Sequence, residues 1–235
     1  MRDFLIQSAP VLIWVIALAE AAICVLAARL SARLKGTPEA HAACRMALLT
    51  ALVAAGLAID AFIQALGSVI GFGSFLQGLS QIRYILHGVL IPLLLPISFY
   101  FITSSKKILS VVWVITGILI ILGIVMGLST KTEPAEFAGI LRYATSDETP
   151  AIWSRYSRIL SVGGVFPLLI LGIIGWVRKK GPRVFLAGLF MFAFAALGPA
   201  TSNMDLNFLI TLFGELLMVL FLYLASKHEG ARQGA

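Results

Sequence analysis

The chain has 235 residues, of which 60% are hydrophobic and only 12% charged, and its formal net charge is +7. Soluble domains are about one quarter charged, so this composition excludes an ordinary soluble enzyme or binding domain and makes lipid the expected solvent. A basic surplus suggests nucleic acid in a soluble protein; beside long apolar runs it is expected in loops on one side of a membrane, with no nucleic-acid partner.

Seven apolar blocks follow in chain order, over roughly 5–28, 46–69, 80–103, 107–128, 156–177, 183–201 and 205–226. Each suits a span of about 20 residues, the sixth only just. Lipid offers no partner for an unpaired backbone N–H or C=O. The expected fold is therefore all-α: a polytopic membrane protein whose residues 1–235 form a single seven-transmembrane-helix bundle.

The connections set the expected orientation. Arg29, Arg33, Lys35 and Arg45 follow the first block, Lys106 and Lys107 the third, Arg178, Lys179, Lys180 and Arg183 the fifth, and Lys227 and Arg232 the last; these are twelve of the 18 basic residues. Arg2, Lys131 and Arg142 lie in the alternate connections, with Arg83, Arg155 and Arg158 at the mouths of spans. Basic residues are retained in the cytoplasm, so the N-terminus is expected outside and the C-terminus inside, in the plasma or inner membrane. One connection is long: residues 129–155 carry both charge signs and are expected to form an exterior loop, as a lid or as a mobile segment.

Charged groups inside spans are expensive and mark sites or paths. The first block contains Glu20, expected near the central level, roughly 15 Å below the outer surface. The second, rising from inside, contains Asp60 and Gln64. The third, descending from outside, contains Arg83 and His87 one helical turn apart, so both share a face. A rise of about 1.5 Å per residue brings Asp60 level with His87, and Gln64 level with Arg83. Sequence-adjacent helices tend to touch, so Asp60 is expected to pair with this basic face. Arg155 and Arg158 add positive charge at the outer mouth of the fifth block. The last block repeats Asn207, Thr211 and Glu215 at four-residue steps, a polar stripe that ends level with Glu20. Below that level the spans supply little beyond Thr50, Ser98 and Tyr223, so the polar interior reads as a funnel open to the outside rather than a channel.

Other chemistry is missing. Haem between two helices needs a pair of axial ligands, and His87 is the one histidine within a block. No metal spacing, phosphate loop or nucleophile elbow is found. Cys24 and Cys44 read as small buried residues. No metal and no cofactor is expected.

The run Arg83-Tyr84, seven residues, then Pro92-Leu93-Leu94-Leu95 resembles the third helix of the microbial rhodopsins, as do the seven blocks and the outside N-terminus. The resemblance implies that architecture and an outward pathway arginine at Arg83. That family's retinal-binding lysine has no counterpart, since the middle of the last block has Glu215 and Val219, and Leu86 stands where the family has its third-helix carboxylate. Retinal is therefore not implied.

The function expected from these residues is binding of a small ligand, anionic by the arginines, or of a proton. Glu20, Asp60, Gln64, Arg83, His87, Arg155, Arg158, Asn207, Thr211 and Glu215 form the candidate site of a sensor or proton-linked transporter. Two alternatives stay open: an intramembrane enzyme acting on a lipid or isoprenoid, with His87 as base, and a structural subunit. Beyond the bilayer, partners would be the ligand itself and a second copy or a partner subunit.

Overall fold

Six helices are long and apolar enough to cross a membrane in the computed structural model, which describes residues 7–200 and 202–233. Arg2, residues 5–6 of the first apolar block and residue 201 of the sixth lie outside the described residues. The chain runs through α1 (Ala9–Leu34), α2 (His41–Ile70), α3 (Ser74–Leu90), α4 (Leu94–Ile102) and α5 (Lys106–Ser129). It continues through β1 (Thr132–Phe137), β2 (Ile140–Thr145), α6 (Ala151–Val177), α7 (Arg183–Ala200) and α8 (Met204–Gln233). This is an all-α polytopic membrane protein with one small hairpin.

Three features differ from the sequence expectation. The third span is two helices, because Pro92 has no N–H to donate and its ring crowds the preceding turn. A 3-10 turn at Ile91–Leu93 joins α3 to α4, and together they make one crossing of 29 residues. Helix α7, at the sixth block, is not among the six, because its apolar stretch is confined to Arg183–Leu197. The long connection is also structured. Its strands pair antiparallel from Thr132 with Thr145 to Phe137 with Ile140. The turn residues Ala138 and Gly139 both have positive φ, 52° and 74°, the backbone that a two-residue hairpin loop requires.

The helices show which surfaces face lipid. On α5, Val111, Val114, Ile118, Ile121, Val125 and Leu128 are exposed at alternating three- and four-residue steps, one apolar stripe along the helix. Its other face is small. Gly123 meets the backbone of Gly88, and Gly127 meets Ile85, so α5 lies directly on α3. Small residues give this close approach where no hydrophobic effect drives helices together.

The interior is divided into two apolar clusters. One, toward the hairpin end, gathers Ile13, Ile16, Ala61, Ala65, Leu209 and Leu212 around the hairpin residues Ala138 and Ile140. The other fills the opposite half with Met46, Val53, Ile97, Phe101, Leu168, Val219 and Leu222. Helices α2, α3 and α8 carry charged and polar side chains between the two.

Candidate functional site

Asp60 lies on α2 and Arg83 on α3, both nearly fully buried, with Arg83 Nε donating to Asp60 Oδ1 at 2.6 Å. A lone ion at this depth would carry a large desolvation cost, and the pair offsets it. One turn along α2, Gln64 Nε2 donates to the other oxygen, Asp60 Oδ2. Gln64 Oε1 in turn accepts from Arg142 Nη1 at 3.3 Å. A continuous polar chain thus runs from α3 through α2 to strand β2.

His87 stands between two carboxylates from different helices. Its Nδ1 lies 3.1 Å from the carbonyl oxygen of Arg83 and 3.9 Å from Asp60 Oδ1. On the opposite side of the ring, Nε2 lies 3.7 Å from Glu215 Oε1 on α8. Asn207, Thr211 and Glu215 all face the same space, with the Thr211 hydroxyl donating to the Asn207 carbonyl at 2.9 Å.

The hairpin roofs this space. Gly67 of α2 leaves no room for a side chain because the Leu141 carbonyl of β2 occupies it. At the turn, Ala138 N–H donates to Asp205 Oδ1 at 2.7 Å, tying the tip to the start of α8. Tyr84 of α3 donates to the Tyr143 carbonyl at 3.4 Å. Alternation along β2 puts Ile140, Arg142 and Ala144 on one face. Ile140 fills the apolar cluster, and Arg142 and Ala144 line a cavity of about 330 Å³ together with Asp60, Gln64, Arg83, His87 and Glu215.

Arg142 is the unusual member. Its guanidinium lies 5.4 Å and 5.1 Å from the ring centroids of Phe137 and Phe208, and its Nε is buried with no acceptor. Among the described residues it forms an ion pair with no carboxylate. Burial, and then Arg83 nearby, push it down to about 10, which still leaves it charged at neutral pH.

Asp60, His87 and Glu215 each offer one atom, all within 4.8 Å of one another, as a metal-ligand trio could. Yet both oxygens of Asp60 are engaged by N–H donors, and the guanidiniums of Arg83 and Arg142 line the same cavity. That donor set favours an anion over a cation.

Seven of the ten residues singled out from sequence therefore line one cavity: Asp60, Gln64, Arg83, His87, Asn207, Thr211 and Glu215. Glu20 does not line it. It is fully buried on α1 with both oxygens lacking a hydrogen-bond partner, within electrostatic reach of Glu215 and Asp60. Arg155 and Arg158 are exposed on the first turns of α6, away from the cavity. Arg142 and Tyr84 were the residues sequence reasoning passed over. Arg142 read as a loop charge; Gly139 followed by Ile140-Leu141-Arg142-Tyr143 is the one strand signal there, and Glu133, Pro134 and Glu136 mask the strand before it.

A second cavity, of about 480 Å³, adjoins the first and shares His87, Thr211 and Glu215 with it; the rest of its wall is almost wholly apolar. No protein-family model and no curated protein sequence matches the chain.

Proposed function

We propose that the chain crosses the membrane seven times with its N-terminus outside, and that the hairpin-roofed chamber binds a small anionic ligand from the outer face. The protein acts as a sensor or as the binding part of a proton-linked transporter in the plasma or inner membrane. The orientation rests on Arg29, Arg33, Lys35, Lys106, Lys107, Lys179, Lys180 and Lys227 gathering at the end opposite the hairpin.

The observation that carries the reading is Arg142. Asp60 balances Arg83 and Glu215 faces His87, which leaves Arg142 as a spare cation beside 330 Å³ of space. A carboxylate entering the chamber would take up its unused N–H donors, and guanidinium–carboxylate pairs in such surroundings are strong and directional. Binding at the hairpin end suits a site rather than a channel, because past the apolar cavity that Met218 lines, Val219 and Leu222 are fully buried in packed apolar core.

His87 between Asp60 and Glu215 supports the proton part. A proton delivered to one carboxylate at the chamber can pass through the imidazole to the other, since the two ring nitrogens face different acids.

The test is calorimetric titration of the protein in lipid nanodiscs with acetate, lactate and inorganic phosphate. Arg142→Gln should weaken anion binding about thirtyfold or more, the loss seen when one partner of a buried charge pair is removed, with helix content unchanged. Anion binding indifferent to Arg142, or binding of cations alone, overturns the reading. In proteoliposomes, Glu215→Gln should keep the anion affinity and abolish proton uptake if the protein is a transporter. Uptake that survives this change removes Glu215 from the proton path.

A further inference from the structure

The two cavities meet at His87, Thr211 and Glu215, and their walls have opposite character. Toward the hairpin the wall carries Arg83 and Arg142. Past the shared residues it is Leu57, Leu90, Ile91, Val165, Phe192 and Met218. A smaller cavity of about 150 Å³, lined by Arg142, Tyr84, His87, Ile91 and Ser161, bridges the two along α3 and α6.

The apolar cavity reaches the lipid side of the bundle between α6 and α7. At the end away from the hairpin these helices touch through glycines: Gly172 takes the backbone of Phe185, and Gly188 takes Leu168. Toward the hairpin, residues of both helices line the cavity. There Val162 and Phe192 line the cavity while remaining 51% and 44% exposed, and Ser161, Ala195 and Ala196 are exposed as well. The rings of Phe166 and Phe192 lie 6.4 Å apart between the two helices, with Phe192 on the cavity wall. An opening walled by apolar side chains and facing lipid admits a hydrocarbon chain from the side, with no passage through water.

We infer that the ligand is a single-chain amphiphile with a monoanionic carboxylate head, a long-chain fatty acid, whose head pairs with Arg142 while its chain lies in the apolar cavity between α6 and α7. This rests on the anion-binding reading above and narrows it to one ligand class. The charge count selects the head: Asp60 neutralises Arg83, and a protonated His87 would neutralise Glu215, which leaves the one positive charge of Arg142 for one negative charge. The direction also fits, since the polar chamber lies at the hairpin end and the apolar cavity deeper, as head and chain lie in a leaflet. The chain gains little by leaving lipid for the pocket, so the affinity comes from the head and the pocket determines which chains fit.

Two probes in phosphatidylcholine nanodiscs separate this inference from the reading beneath it: butyrate, by calorimetry, and a sixteen-carbon fatty acid bearing a mid-chain diazirine, by photolabelling. The long probe should label peptides around 161–165 and 191–196, and excess palmitate should remove the label. Ala195→Trp fills the apolar cavity and should cut labelling roughly tenfold while changing the butyrate Kd less than about twofold. That retained butyrate binding also shows the variant is folded. Arg142→Gln should weaken both probes.

Arg142-dependent butyrate binding without labelling at these peptides, or labelling indifferent to Ala195→Trp, overturns the amphiphile inference and leaves the anion site standing. Long-chain labelling that ignores Arg142→Gln also overturns it, because the head would not be where the charge is. Failure of both probes removes the anion reading and this inference together.

Discussion

The molecule buries carboxylates at both ends of the bundle and surrounds them differently. At the end away from the hairpin, Glu229 of α8 is almost fully buried, with Arg232 Nη1 at 3.2 Å, Lys180 Nζ at 3.6 Å and His228 Nδ1 at 3.8 Å. Lys180 also donates to the Phe101 carbonyl at 2.7 Å. Here basic groups converge on one acid, and neither cavity described above reaches it. At the hairpin end, Asp60 is likewise enclosed by N–H donors, but a second guanidinium, Arg142, is left beside open space. The first arrangement is a staple, which ties the end of α8 to the loop between α6 and α7. The second has charge and volume left over, and that combination separates a binding site from a structural ion pair.

The largest expected effect tests whether the hairpin-end pair is structural at all. Asp60→Ala strands Arg83 in a site where it is 7% exposed, and loss of one partner from such a pair costs about 3–5 kcal/mol. Thermal unfolding in nanodiscs should fall accordingly, and an unchanged midpoint would show that Arg83 does not depend on Asp60. Glu229→Ala should cost less, about 1–2 kcal/mol, because Lys180 and Arg232 are 23% and 46% exposed and can turn to water. It should leave anion titrations at the hairpin end unaltered; a shifted affinity there would mean that the two ends are coupled. The smallest effect has the opposite sign. Glu20 is buried without a partner, so Glu20→Met, similar in volume and apolar, should stabilise the fold by about 1 kcal/mol. A gain in stability together with lost proton uptake would assign Glu20 to the proton path, whereas a gain with uptake intact leaves it a tolerated burden.

Much of this architecture was legible because a membrane narrows the choices. A period of 3.6 residues and a fixed rise were enough to put Asp60 opposite the Arg83–His87 face; they put Glu215 level with Glu20, deeper than His87, whereas it lies 3.7 Å from the His87 ring. The same arithmetic could not tell which face of α1 holds Glu20, since helix rotation depends on packing against α2 and α8. The hairpin escaped because residues 129–155 read as charge alone, while its placement depends on Gly67 leaving room for the Leu141 carbonyl and on Asp205 accepting from the Ala138 N–H at the turn. Both are contacts between segments far apart in sequence. The apolar cavity escaped for a different reason: alanines and valines inside a span look alike whether they face lipid, a neighbour or empty space. Only the packing of α6, α7 and α8 around the cavity turns Ala195 and Ala196 into a wall.

The brevity of α7 has a consequence for the membrane itself. Its 18 residues rise roughly 27 Å, against about 30 Å of hydrocarbon in a typical bilayer. On the proposed seven-span reading, α7 would cross with a negative hydrophobic mismatch, which a bilayer relieves by dimpling toward the shorter wall. The dimple would fall beside the opening between α6 and α7 and draw the lipid headgroup layer toward it. Were the proposed ligand to enter there, acyl-chain length in the surrounding membrane would set how readily the side opening is reached.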